Sequence, residues 1–187
     1  PREDHRHGII HDCLPTPEGI QICRDYHIQM PMQSAFIGWK QEPDDYLEHI
    51  LGHDRLEKLN PIKTFRDNDI MVSFGSDAPC TTPDPIVWMD RAVNNDNAGQ
   101  AVSVQDALRM CTYNGAWAAF DEQERGSLEA GKIADMAVLS ENPYTVPKDK
   151  LSGLRVERLY LGGKPYESCR ESILPMMLRG LTSRNKA

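Results

Sequence analysis

The sequence predicts an α/β fold with parallel strands. Three short segments, residues 8–11, 27–33 and 70–74, are each typical of a buried strand, and polar segments that favour helix separate them. Parallel strands need a long crossover connection, usually a helix, so this alternation favours a parallel layer or barrel. The 187 residues are enough for one domain of ordinary size or slightly more.

Capping patterns and chain breakers locate the connecting helices. Thr16-Pro17-Glu18 combines a capping hydroxyl, a proline at the first helical position and a first-turn carboxylate, so a helix is expected to begin here. Residues 43–67 are polar and favour helix, with breaks at Gly52 and at Asn60-Pro61. Each connection therefore contains a helical segment.

Two more helices are expected after the third strand. A proline-rich loop over 79–85 leads into a helix through Trp88-Met89 and Ala92-Val93. Ser103-Val104-Gln105-Asp106 resembles a capping box, and it predicts a single helix that continues to about Phe120.

The chain changes character after Gly126, where turn residues and short strands dominate. Strands are expected over 134–139 and 156–161, and Gly162-Gly163 is typical of a hairpin turn. Residues 168–187 form a basic tail with one apolar patch that could be a terminal helix.

Composition argues against nucleic acid and membrane partners. The 21 basic side chains are outnumbered by 28 acidic ones, for a net charge of −7, so the surface is a poor match for a polyanion. The longest apolar run, residues 70–74, is far shorter than the roughly 20 residues of a membrane span. The N-terminus lacks the apolar core of a signal peptide, and the five cysteines are scattered, so we expect a cytoplasmic protein.

The strongest candidate for chemistry is Asp77, in the run Phe74-Gly75-Ser76-Asp77-Ala78-Pro79 that follows the third strand. Parallel α/β folds assemble active sites at the carboxyl ends of their strands, so Asp77 could bind a metal ion or accept a proton. His11 ends the first strand at the same edge, where an imidazole suits a transition metal such as zinc. From the residues alone, Asp77 could equally cap a turn, and His11 is better explained as a hydrogen-bonded residue at a strand end.

Other groups fit known chemistry less well. The His5-Arg6-His7 pair has no preceding strand that would aim both imidazoles at one point. Cys13 and Cys80 lack a base oriented by a third group, and Ser76 lacks the Gly-x-Ser-x-Gly turn of a serine nucleophile. We therefore expect no covalent catalysis.

Two motifs together resemble a known family. Residues 126–135 read Gly-Ser-Leu-Glu-Ala-Gly-Lys-Ile-Ala-Asp, which closely resembles the Gly-Ser-Leu-x-x-Gly-Lys-x-Ala-Asp signature of the amidohydrolase superfamily. This signature begins some fifty residues after Gly75-Ser76-Asp77. That arrangement of the two motifs resembles the YtcJ-like branch of the superfamily, the amidohydrolase 3 family. The resemblance extends from about His7 to Glu167.

This resemblance implies the architecture. Residues 1–125 would be the C-terminal part, about strands 6–8, of a metal-dependent (β/α)8 TIM barrel. Residues 126–167 would supply the closing strands of a small β-sandwich, and 168–187 would be a tail. The partners it implies are the N-terminal half of the barrel, which would precede Pro1, and possible further copies of the chain.

The resemblance also implies the site. His11 would bind a divalent metal, with zinc expected and one or two ions in the complete enzyme; Asp77 would bind the metal and act as general base. Asp77 would take a proton from water and return it to the leaving nitrogen of an amide or cyclic amide. Further residues would line the substrate mouth, namely Gln33, Phe36, Ser76 and Ala78.

Two alternatives to an active enzyme remain open. The chain could be a non-catalytic or regulatory relative, inactive without N-terminal ligands. It could instead be a piece of a longer hydrolase produced during handling, since an isolated half-barrel would expose strand edges and apolar faces.

Overall fold

Helices and strands alternate along residues 2–166, which a computed structural model of the chain describes. The predicted tail over 168–187 lies outside the described residues. The helices are α1 (Pro17–Asp25), α2 (Asp44–Leu51), α3 (His53–Leu56), α4 (Ile62–Asp67), α5 (Pro85–Val93), α6 (Val104–Cys111) and α7 (Tyr113–Ala118). The strands are β1 (Met30–Met32), β2 (Val72–Phe74), β3 (Met136–Leu139), β4 (Val156–Leu161) and β5 (Lys164–Pro165). Single 3-10 turns cover Ser34–Phe36, Ala98–Gln100 and Lys148–Gly153.

The first half of the chain is built on parallel strands. β1 and β2 pair in parallel, with Met30 opposite Val72. On the other side of β1, Gly8 forms a parallel bridge with Gln29. Helix α1 connects the bridge to β1, and α2, α3 and α4 connect β1 to β2. The predicted parallel strands with helical crossovers are therefore confirmed.

The prediction of a buried strand over 8–11 is wrong in its extent. Pairing is limited to the backbone around Gly8 and Gln29, the residue just before β1. The Ile9 N–H donates to the Gln29 carbonyl at 3.0 Å, and the Gln29 N–H donates to the His7 carbonyl at 2.8 Å. Ile9 and Ile10 are exposed. This segment is at the edge of the described sheet, so among residues 2–166 it has a strand on one side only.

The helix predicted from Ser103 to about Phe120 is two helices. Thr112, at the junction of α6 and α7, has φ −126° and ψ −90°, outside helical geometry. Its hydroxyl donates to the Leu108 carbonyl at 2.7 Å, a local bond that competes with the helical ladder. The break at Thr112 therefore replaces the predicted continuous helix.

Within residues 2–166, no helix is long and apolar enough to cross a bilayer.

The predicted capping pair, Ser103 and Asp106, is in contact at the start of α6. The Ser103 hydroxyl accepts from the Asp106 backbone N–H at 3.0 Å. The Asp106 carboxylate accepts from the Ser103 hydroxyl at 2.6 Å and pairs with Arg66. Asp106 therefore joins α6 to α4.

The core lies between the parallel strands and the helices that cover them. Met30, Met32 and Val72 project from the strands and are at most 1% exposed. They belong to one apolar cluster with residues of α1, α4, α5 and α6, among them Cys23, Ile62, Phe65, Met89, Ala92, Ala107 and Met110. Leu151 and Leu154 bring the 3-10 turn at Lys148–Gly153 into the same cluster.

The second half of the chain forms an antiparallel sheet in the order β3-β4-β5. Met136 is opposite Tyr160, and a register shift follows Val138. The predicted turn at Gly162-Gly163 joins β4 to β5, and the Gly162 N–H donates to Asp135 Oδ1 at 2.8 Å. The two predicted strands and their turn are confirmed.

An arginine ties the start of the chain to α7. Arg6 Nη1 and Nη2 donate to the two carboxylate oxygens of Glu122 at 2.7 and 2.8 Å. Its guanidinium carbon lies 4.5 Å from the centre of the Trp117 ring and 4.2 Å from that of Phe120. The hydrogen bonds from Arg6 lower the pKa of Glu122 to about 2. Nothing in the local pattern around Arg6 predicted this contact.

Candidate active site

Three predicted site residues meet at the carboxyl ends of the parallel strands. His11 follows the Gly8 bridge, Gln33 follows β1, and Asp77 follows β2. Because the three strand segments are adjacent and parallel, their ends lie at one edge of the sheet. This is the edge where parallel α/β folds assemble their sites.

His11 and Asp77 face each other across this edge. His11 Nε2 is 3.5 Å from Asp77 Oδ2, and the two side chains are 39% and 45% exposed. Both residues adopt a positive φ, +59° for His11 and +52° for Asp77. Non-glycine residues rarely adopt this region, in which the chain turns sharply. The structure thus brings together the two groups that sequence reasoning singled out first.

This pair has the chemistry and spacing of two metal ligands. Imidazole nitrogen and carboxylate oxygen are both usual zinc ligands, and two of them at about 2.0–2.1 Å on a tetrahedral ion lie about 3.3–3.4 Å apart. The 3.5 Å separation is compatible with that value and longer than an ordinary hydrogen bond. Within 2–166, no group of three or more His, Cys, Asp or Glu side chains could hold a metal ion. The described residues therefore offer two candidate ligands at this edge, His11 and Asp77.

The turn after β2 uses Ser76 locally. The Ser76 hydroxyl accepts from the Ala78 N–H at 3.1 Å, and the Thr81 hydroxyl donates to the Ser76 carbonyl. Ala78 itself is exposed beside Asp77. The Ser76 side chain therefore shapes the turn that carries Asp77.

Phe36 lies beside His11. The centres of the His11 and Phe36 rings are 5.7 Å apart. The Trp39 ring packs edge-on against the Phe36 ring, with their centres 4.9 Å apart. Phe36 belongs to the 3-10 turn after β1, which the Phe36 N–H closes on the Gln33 carbonyl at 3.0 Å. Aromatic side chains, Phe36 and behind it Trp39, therefore lie on one side of His11. Trp39 was missed, although its three-residue spacing from Phe36 was visible in the sequence.

Gln33 is buried at the centre of the strand ends. It is 8% exposed, and its Nε2 lies 3.8 Å from the position that a Cβ on Gly75 would take. Nε2 donates to the Pro31 carbonyl at 3.3 Å, whereas Oε1 is buried and accepts no hydrogen bond from any described residue. Its carboxamide therefore contacts the strand end that leads to Asp77.

The segment after His11 is held by a contact that sequence reasoning missed. Asn60 N–H donates to the Cys13 carbonyl at 2.8 Å, so the chain before α4 anchors the loop after His11. Burial, together with the nearby carboxylates of Asp12 and Glu42, raises the pKa of the Cys13 thiol. A neutral thiol is a poor nucleophile, so the surroundings of Cys13 do not activate it.

His5, in the His5-Arg6-His7 segment, forms hydrogen bonds with two backbone groups. His5 Nε2 donates to the Tyr26 carbonyl and its Nδ1 accepts from the His7 N–H, both at 3.0 Å. The two imidazoles stack with centres 4.7 Å apart. Both ring nitrogens of His5 are therefore bonded to backbone groups.

A scan against protein families matches residues 1–166 to the amidohydrolase family. The chain belongs to the amidohydrolase family. Among curated relatives, it is 33% identical over 152 residues to the N-substituted formamide deformylase of Arthrobacter pascens. It is 25% identical over 175 residues to YtcJ of Bacillus subtilis strain 168, which is named as an amidohydrolase.

These alignments cover most of this chain and a minor part of each relative. They include 78% and 88% of the chain, but 26% of the deformylase and 32% of YtcJ. The chain thus spans about a quarter to a third of the length of the curated relatives it matches.

Solved structures of amidohydrolase-type proteins share the fold. A metal-dependent hydrolase of Pyrococcus furiosus superposes with a TM-score of 0.66 at 25% identity, over 75% of this chain and 29% of that one. An adenosine deaminase of Xanthomonas campestris, solved with bound zinc, superposes with a TM-score of 0.62 at 17% identity, over 95% and 41%. The chain therefore shares its fold with part of each of these two proteins.

Proposed function

We propose that the protein is a metal-dependent hydrolase of a non-peptide C–N bond, in an amide or cyclic amide. The observation that supports this most directly is the His11–Asp77 pair at the carboxyl ends of parallel strands, 3.5 Å apart. Family membership and the similarity to a formamide deformylase favour the same chemistry. The overall reaction adds water across the amide and releases a carboxylic acid and an amine.

In this proposal His11 Nε2 and Asp77 Oδ2 would hold a divalent metal ion; both donors are usual zinc ligands, and the similar adenosine deaminase solved with bound zinc favours the same ion. A divalent ion held there would supply Lewis acidity, which would polarise the substrate carbonyl and acidify water. Two ligands are fewer than the three protein ligands usual in a catalytic zinc site. The remaining ligands, and any second ion, would come from residues outside those described.

Asp77 carries the proton in this mechanism. Its exposed carboxylate accepts a proton from the attacking water and returns it to the leaving nitrogen, so one group serves as base and then as acid. Ser76 and Ala78 hold the turn that presents Asp77, through the bond from the Ala78 N–H to the Ser76 hydroxyl. Phe36 borders the substrate on the His11 side and Gln33 on the Gly75 side.

The architecture and setting of the complete protein are also part of the proposal. Residues 1–125 correspond to about strands 6–8 of a (β/α)8 barrel, and 126–167 to the closing strands of a β-sandwich, with 168–187 as a tail. The open edges of the parallel sheet favour the other half of the barrel as partner, and further copies of the chain are possible. We place the protein in the cytoplasm and its substrate among small amides.

The competing hypothesis is a non-catalytic, regulatory relative. It is favoured by the presence of only two candidate ligands among residues 2–166. It predicts that the protein as encoded by its complete gene carries no stoichiometric metal and hydrolyses no amide.

The test is metal content and hydrolysis by the product of the complete gene, with His11→Ala and Asp77→Asn variants. We expect about one or two ions per chain, loss of amide hydrolysis after chelation, and recovery when zinc is added. His11→Ala lowers zinc affinity by at least about 100-fold, because it removes a direct ligand. Asp77→Asn abolishes turnover through loss of the proton acceptor.

Exposed residues of the same types provide matched controls. His49→Ala on α2 and Asp149→Asn in the 3-10 turn at Lys148–Gly153 change surface side chains away from the strand ends, so both keep metal and activity. Full activity in the chelated protein, or a His11→Ala variant equal to His49→Ala in zinc affinity, would contradict the proposal.

A further inference from the structure

Two buried glutamines flank β1, and they differ in how firmly they are held. Gln29, before the strand, is 5% exposed and donates to the Arg6 carbonyl at 2.5 Å. Gln33, after the strand, is 8% exposed, and its donor bond to the Pro31 carbonyl is 3.3 Å, at the long end for a hydrogen bond. In each, Oε1 is buried and accepts no hydrogen bond from the described part of the chain.

An unmatched buried acceptor destabilises a protein unless some state of the molecule satisfies it. Gln29 has a structural role that accounts for its burial, because its short bond fixes the start of the chain. The weak bond of Gln33 gives no comparable reason for placing a carboxamide among apolar strands. What sets Gln33 apart is its place beside Gly75, at the carboxyl end of β1, the strand that lies between the segments leading to His11 and to Asp77.

We propose that Gln33 Oε1 accepts a hydrogen bond from the N–H of the scissile amide, so that the site selects amides with an N–H over N,N-disubstituted amides and esters. This inference rests on the proposed amide hydrolysis. The last side-chain torsion of glutamine is broad, and a turn about it presents the oxygen to the edge where Asp77 lies.

The selection follows from the cost of an unmatched polar group. A site that hydrogen-bonds a substrate N–H discriminates strongly against an analogue without it, because the acceptor is then left buried and unpaired. The same bond orients the leaving nitrogen, whose lone pair must receive the proton that Asp77 carries. Gln33 is therefore a specificity-determining residue that acts on the leaving group.

The test compares three formyl compounds: formanilide, N-methylformanilide and phenyl formate. Only formanilide has an N–H at the scissile bond. In Gln33→Met, kcat/KM for formanilide is expected to fall about 10- to 100-fold, the effect of one buried unmatched group. For the other two compounds it changes less than about threefold. Comparing variant with wild type for each compound cancels the intrinsic reactivity of the three bonds.

A second readout separates this role from a structural one. Removing an unmatched buried acceptor leaves the melting temperature of Gln33→Met unchanged or higher. Gln29→Met is the matched control: it loses the bond to Arg6, so its melting temperature falls while its preference for formanilide is unaltered. Gln33→Leu serves in place of Gln33→Met if the latter does not fold.

The outcomes are distinguishable from failure of the proposed hydrolysis. An equal fall for all three compounds, or a melting temperature for Gln33→Met as low as that of Gln29→Met, overturns the role of Gln33. If none of the compounds is hydrolysed, ligand-observed NMR compares binding of formanilide and N-methylformanilide. A wild-type preference for formanilide that Gln33→Met removes supports the inference, and equal binding overturns it.

Discussion

Gly126 is the position where one methyl group has the clearest calculable effect. Its φ is +87°, and a Cβ built on it would lie 2.6 Å from the Ala116 Cβ and 3.0 Å from the Tyr113 Cα. Both neighbours belong to α7, so the chain crosses this helix in contact with its backbone as it leaves for the antiparallel sheet. Gly126→Ala therefore combines backbone strain with a steric clash.

The two effects can be separated by a second glycine in the same signature. Gly131 has a φ of +95°, but no described atom lies within 4 Å of its ideal Cβ. A positive φ costs an L-residue about 1–2 kcal/mol, and Gly131→Ala should lose that amount of unfolding free energy. Forcing a methyl group into packed surroundings costs about 1–3 kcal/mol more, so Gly126→Ala should lose about 2–5 kcal/mol. The smaller unfolded-state entropy of alanine offsets both losses equally.

The assay is urea denaturation of both variants in the protein as its complete gene encodes it. Their midpoints are compared at equal slope, so that a change in midpoint reports a change in stability. If the two variants lose the same free energy within about 0.5 kcal/mol, the close approach to α7 is refuted.

A double variant tests the identity of the clash. Ala116→Gly removes the Cβ at 2.6 Å and on its own costs about 1 kcal/mol as a glycine in a helix. Combined with Gly126→Ala, it should recover part of the steric loss, and the contact with the Tyr113 Cα should remain. Strictly additive losses would show that Ala116 is not the group in contact.

Two further predictions concern titration. Arg6 holds the pKa of Glu122 at about 2, against an ordinary value of 4.5, so the pair's contribution to stability is present above about pH 4.5 and is lost as the pH falls towards 2. The difference in unfolding free energy between wild type and Glu122→Gln, measured by denaturation from pH 6 to pH 2, should therefore shrink in that window. A constant difference would contradict the pairing. Burial raises the pKa of Cys111 to about 12, whereas Cys80 is exposed. Peptide mapping after brief iodoacetamide treatment at pH 8 should find Cys80 alkylated and Cys111 intact, and preferential labelling of Cys111 would contradict its burial.

The parts of the fold that the sequence predicted are those with local signals. Thr16 caps α1 by accepting from the Gly19 N–H at 3.1 Å, and Gly52 and Asn60 divide 43–67 into separate helices as expected. The predictions of secondary structure failed where contacts that the local sequence pattern does not show determine the structure. The exposure of Ile10 depends on which strands flank the edge, and the break at Thr112 depends on one hydroxyl bond that helix periodicity does not encode.

The candidate site shows the same division between local and distant information. A polar residue at a strand end is visible in the sequence, which is how His11 and Asp77 were found, whereas Gln33 was named from the family resemblance. Their meeting depends on the order of the parallel strands, with β1 between the other two segments, and on the positive φ of His11 and Asp77. A positive φ turns the chain sharply at a strand end, so each of these two side chains leaves its strand in a direction that strand periodicity does not predict. Gln33 follows the middle strand in that order and lies beside Gly75. The Ser76 hydroxyl already bonds the Ala78 N–H within its own turn, so the Gln33 carboxamide is the group to test for recognition of the amide N–H.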